Sequence, residues 1–147
     1  MSELIPVLQT AIGPVILISG VGLLILSMTN RLGRAVDRAR LIGAQLAETG
    51  AAQRHPLEAQ LRILWKRARV IRSAIALAAA SALAAALLVI LIFITAITGL
   101  DASWLTVGLF TLCMSFLIVS LVLFIHDINQ SLAALKLELH THGLDDD

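Results

Sequence analysis

Asn30-Arg31-Leu32-Gly33-Arg34-Ala35-Val36-Asp37-Arg38-Ala39-Arg40 is where the chain changes character. From Leu4 up to Asn30 there is no charged side chain, and a bilayer needs about 20 mostly apolar residues to be crossed. Four arginines then arrive within eleven residues, with a single acid among them. An apolar run followed by a basic flank is the reverse of a secretory signal, which carries its basic residues first. The order predicts a true membrane span with its basic end in the cytoplasm.

The same reading extends to the rest of the chain. Ser73 to Leu100 and Ala102 to Ile125 are also free of charge and long enough to cross. Ten of the eleven Lys and Arg lie between Arg31 and Arg72, against Asp37, Glu48 and Glu58. The opposite side offers Glu3 and Asp101 alone. The positive-inside rule therefore puts residues 31–72 and the C-terminus in the cytoplasm and the N-terminus outside. Gly99-Leu100-Asp101-Ala102-Ser103 predicts a tight external turn, with Trp104 as an interfacial anchor.

Composition excludes the main alternatives. With 147 residues, 59% hydrophobic, 14% charged and a mean hydropathy of +0.92, the chain falls well short of the charge of an ordinary soluble domain. Cys113 is the single cysteine, so neither a disulfide framework nor a multi-cysteine metal site can form within one chain. The net charge of +1 hides a basic hairpin and an acidic tail, Asp145-Asp146-Asp147.

The basic segment has helical order. Ala35, Val36, Ala39, Ile42 and Leu46 form one stripe; Leu57, Leu61, Leu64, Ala68, Ile71 and Ile75 form a second, in alternating steps of four and three. Gly50 is a candidate helix C-cap and Pro56 a candidate helix start between them. A third stripe, Ile125, Ile128, Leu132, Leu135 and Leu139, follows the last span. The expected fold is an all-α membrane protein with spans near 4–30, 73–100 and 102–125. Helical extensions (a hairpin over 31–72 and a C-terminal helix over 126–142, ahead of a tail at 143–147) form a small cytoplasmic bundle, which oligomerisation would help to stabilise.

Three constellations are candidates for function. Arg31, Arg34, Asp37, Arg38 and Arg40 form a basic collar, suited to anionic lipid or to the mouth of a pore. Asp37 lies three residues from both Arg34 and Arg40, within helical pairing distance of each. In the first span Gln9, Gly13, Gly20, Ser27 and Asn30 place small or polar groups along one face, as a helix-packing seam or a pore lining. In the second, Ala74, Ala78, Ala82 and Ala86 form a small-residue ladder for close helix packing. Hydroxyls of the third span are expected to bond their own backbone or a neighbour, Cys113 to act as a small buried apolar residue, and His126-Asp127 to be an interfacial pair.

The motif Asn-Arg-x-x-Arg-x-Val-Asp-Arg-x-Arg at 30–40, a basic hairpin and two further spans together resemble a family of small bacterial three-span membrane proteins catalogued as a domain of unknown function. The resemblance covers about residues 4–140 and implies the architecture, not an activity. No ionisable group interrupts a span, so a proton-coupled pump is not expected. No nucleophile sits with a base and no nucleotide loop is present, so neither an enzyme nor a cofactor is expected. His140 and His142 read as a solvated tail rather than a metal site. The arginines cluster toward the membrane, where lipid, not nucleic acid, is the nearer polyanion. The expected partners are a second copy of the chain and anionic lipids. The two functional expectations are a homo-oligomeric passive channel lined by the first span, and a scaffold or regulatory protein that binds anionic lipid or an acidic partner through its basic hairpin.

Overall fold

A computed structural model describes residues 4–48 and 51–141 of the chain. Three helices follow in order: α1 over Leu4–Glu48, α2 over Ala51–Thr98 and α3 over Ser103–Thr141. At 1.5 Å per residue they run to about 68, 72 and 59 Å, twice the hydrocarbon thickness of a bilayer. Each holds a stretch apolar and long enough to cross. The chain is a multi-pass all-α membrane protein. Its helices continue without a break from the apolar zone into the charged one.

α2 is the middle helix, packed against both α1 and α3. The reason is a 3-4 spacing of the residues withdrawn from the surface, the seam of left-handed helix packing. On α1 it runs Val7, Ala11, Pro14, Ile18, Val21, Ile25, Met28, Leu32, Ala35, Ala39, Ile42 and Leu46, all buried or half-buried. On α2 it runs Leu64, Arg67, Ile71, Ala74, Ala78, Ser81, Ala85 and Leu88. The seam shares Leu64 and Ile71 with the stripe read at Leu57–Ile75, but takes Arg67 and Ala74 in place of Ala68 and Ile75, and it continues through the span where its members become small. Two clusters fill it: Met28, Ile71 and Ala74 toward the basic end, and Ala84, Ala85 and Cys113 nearer the turn.

The alanine ladder bends away from this seam. Ala74 and Ala78 are fully buried, whereas Ala82 and Ala86 are half-buried and Ser81, Ala85 and Leu88 take the core. A step of four residues overshoots a helical turn by about 40°, so a strict fourfold ladder drifts off any straight contact.

The ends follow local rules. Gly99 closes α2 at φ +67°, a conformation that glycine adopts without the Cβ penalty. Asp101 accepts from the Ser103 N–H at 3.1 Å and from its hydroxyl, opening α3. These two bonds hold the Asp101 carboxyl below its ordinary pKa, the hydroxyl contributing most. At the other end α2 begins at Ala51, ahead of Pro56, which is a correction to the expected start. Pro56 stands sixth in α2, just past the N–H groups that have no intrahelical partner, so it removes one hydrogen bond close to the helix end. Gly50, His142 and the acidic tail lie outside the described residues, as do the side chains of Leu132, Leu135, Leu139 and His140.

Candidate functional site

α3 presents a polar or small residue every seventh position: Thr106, Cys113, Ser120 and Asp127. Three of them meet α2 in one antiparallel register, 113 facing 81, 120 facing 74 and 127 facing 67. Ser81 Oγ donates to the Cys113 carbonyl at 2.9 Å, and Cys113 Sγ donates to the Ser81 carbonyl at 3.2 Å. Ser120 Oγ donates to the Ala74 carbonyl at 2.7 Å, a reach that the small side chain of Ala74 permits. Cys113 is therefore buried as expected, but as a hydrogen-bonding group rather than an apolar one. Thr111 and Ser115, off this row, bond their own helix.

The row ends at a charge. Asp127 is 1% exposed and is gripped by two arginines: Arg31 Nη2 donates to Oδ2 at 3.0 Å and Arg67 Nε to Oδ1 at 3.4 Å. The three helices each contribute one member. Arg31 also lies 5.6 Å from the centre of the Phe124 ring, within cation–π range. Burying a carboxylate costs several kcal/mol unless it is paired and hydrogen-bonded, so the two arginines are what makes Asp127 tolerable here. His126 is not part of the pair expected of it; its Nε2 lies 2.9 Å from Gln130 Nε2, one turn on.

Beside this triad a cavity of about 340 Å³ opens between the helices. Arg31, Arg34 and Arg38 of α1 and Arg67 of α2 line it, with Asp127 at its wall and Ala35, Leu64 and Ile71 as its apolar part. Four arginines and one aspartate share its lining, and two of the four hold the carboxylate. Asp37 is exposed on another face and makes no ion pair with Arg34 or Arg40 among the described residues. Pairing at three residues is optional for exposed groups, since it gains only a few tenths of a kcal/mol. Arg40 is exposed and does not line the cavity.

The collar therefore divides. Arg31, Arg34 and Arg38 converge; Asp37 and Arg40 do not. Arg67 and Asp127 were missed: Asp127 carried a signal, since it completes the sevenfold polar row of α3, whereas Arg67 stands one position before Ala68 of the sequence stripe and carried none.

The first-span row turns away from the molecule. Gln9, Gly13, Gly20, Ser27 and Asn30 are all exposed, and a Cβ added at Gly13 or Gly20 meets nothing within 4 Å. As a packing seam within one chain the row is overturned. Val7, Ala11, Val21 and Met28, on the opposite face, make that contact because they are bulkier and apolar on average. Among the described residues no cluster of His, Cys, Asp and Glu is arranged to hold a metal.

Fold and site together define a small polytopic helical membrane protein with a buried charge triad at the basic end of its spans. The chain belongs to the family described as Protein of unknown function (DUF2721), whose model matches residues 11–137. No curated protein and no solved structure matches it.

Proposed function

We propose that this is a non-catalytic scaffold or regulatory protein of a bacterial inner membrane that binds anionic lipid at its cytoplasmic face. Its N-terminus lies outside and its C-terminus inside. The observation that supports the reading is the cavity lined by four arginines and one aspartate at the membrane boundary. Arginine forks match phosphate oxygens in pairs, and lipid phosphates are the polyanion nearest to that height. Purified protein in neutral nanodiscs should enrich anionic lipid from a mixed supply. Enrichment should weaken with salt and fall in an Arg34→Ala/Arg38→Ala variant; unchanged enrichment in that variant contradicts the reading.

A second reading rests on a different observation. The outward face of α1, with Gln9, Gly13, Gly20, Ser27 and Asn30, has no partner within the chain. In a homo-oligomer that face would line a passive pore, with Asn30 at its cytoplasmic end. Liposomes carrying the protein should then conduct, and Gly20→Leu or Ser27→Leu should change the current. Silence at every applied voltage, with the oligomer intact, contradicts it.

A further inference from the structure

The geometry points to a more specific ligand for the arginine cavity: a terminal phosphate monoester, held by Arg34 and Arg38, in preference to a phosphodiester headgroup. This rests on the anionic-lipid reading above and narrows it.

The four arginines that line the cavity have two different roles. Arg31 and Arg67 are committed to Asp127, and each is only about a quarter exposed. Arg34 and Arg38 line the same cavity, are exposed, and pair with no acid among the described residues. They lie four apart on α1, so their guanidinium groups project from one face, one turn from each other. The nearest acid in sequence, Asp37, does not line the cavity.

Charge and shape then select the ligand. Arg34 and Arg38 bring two positive charges to the cavity that no acid among the described residues pairs with. A phosphate monoester near neutral pH carries a charge of about −1.5 to −2 and three free oxygens. A diester carries one charge and two free oxygens. Two guanidinium forks can each take a pair of oxygen lone pairs, and the third monoester oxygen would face the positive field of Arg31 and Arg67. The aspartate sets the limit on the other side. Asp127 fixes the inner arginines and repels an anion from the triad itself, so the phosphate is stopped at the level of Arg34 and Arg38. Ala35, Leu64 and Ile71 supply an apolar wall for the group that the phosphate esterifies.

The chemistry is common to a lipid monoester, such as a phosphatidate, and to a soluble phosphate. Calorimetric titration of the purified full chain in neutral detergent separates them, using dioctanoyl phosphatidate, dioctanoyl phosphatidylglycerol and inorganic phosphate. The expected result is phosphatidate bound at least about tenfold more tightly than phosphatidylglycerol, a difference that one or two charge-assisted hydrogen bonds supply. Arg34→Gln/Arg38→Gln should abolish that preference. Arg40→Gln/Arg62→Gln removes the same charge outside the cavity and should leave the preference in place. Arg34→Lys/Arg38→Lys keeps the charge without the forks and should retain binding with a reduced preference, which guards against a folding defect in the glutamine variant. Binding of inorganic phosphate with no added affinity for phosphatidate would support the phosphate site and assign it a soluble source. Equal binding of the two lipids would overturn the monoester inference and leave the anionic-lipid reading standing. Binding of none of the three ligands would remove both. Equal loss of preference in the two glutamine variants would show diffuse attraction and overturn the site.

Discussion

Two rows of small and polar residues, each repeating every seven positions, run through the apolar zone of this protein and have opposite fates. Thr106, Cys113, Ser120 and Asp127 of α3 turn inward, and the last three find partners on α2. Gly13, Gly20 and Ser27 of α1 turn outward and find none within the chain. Spacing is the same in both. What differs is the opposing helix: α2 carries Arg67, Ala74 and Ser81 at the same period, in register with α3. A periodic polar row becomes an internal seam only where a neighbour repeats with it. Without such a neighbour it remains a surface, open to lipid or to another copy of the chain.

The comparison breaks most readily at its charged end. Asp127→Ala leaves two arginines at a site built around a carboxylate, and should cost about 3–5 kcal/mol, as loss of one partner from a buried ion pair does. Unfolding in mixed micelles measures it. A loss below about 1 kcal/mol, the value of an exposed pair, would show that the triad is not a buried one. Next comes Ala74→Leu, which fills the space that Ser120 reaches across; overpacking of this kind should cost about 1–3 kcal/mol. A smaller effect is expected from Ser120→Ala, about 0.6 kcal/mol, the average for an interhelical hydrogen bond in a membrane. Gly20→Leu, on the outward row, should leave the stability of the isolated chain unchanged and alter only what depends on contact between copies. If it unfolds the monomeric chain, the two rows are not opposites.

A slight effect belongs to the turn. The Asp101 carboxyl titrates below its ordinary value of 3.8 because Ser103 donates to it. A depressed folded-state pKa gives stability that is present above 3.8 and is lost as pH falls through the lowered value. Asp101→Asn should therefore weaken the turn slightly near neutral pH and make no difference once the acid is protonated. Hydrogen exchange at Ser103 and Leu105 reads this directly.

Much of the fold was legible in sequence. The three spans, the Gly99–Ser103 turn and the 3-4 stripe at Leu57–Ile75 follow from charge placement and apolar spacing, both local quantities. The seam itself was not, because Arg67 reads as one more cytoplasmic charge, and Ala74, Ala78 and Ser81 have too little apolar area to stand out from an alanine-rich helix. The site was half legible. Arg31, Arg34 and Arg38 announce themselves by density beside an uncharged run. Asp127 does not, since its partners lie 60 and 96 residues away. Its sequence neighbour His126 suggested a local pair that helix geometry points elsewhere. Asp37 misled for the complementary reason: it has arginines at pairing distance in sequence and no need of them in solvent.

Asp127 joins all three helices through Arg31 and Arg67. Double-mutant cycles on the purified chain, Arg31→Ala with Asp127→Ala and Arg67→Ala with Asp127→Ala, test it by reversible unfolding in mixed micelles. Both cycles should return a coupling of about 1–3 kcal/mol, the range for residues sharing one charge network. Coupling within about 0.3 kcal/mol of zero in either cycle, the scatter seen for independent sites, would contradict it.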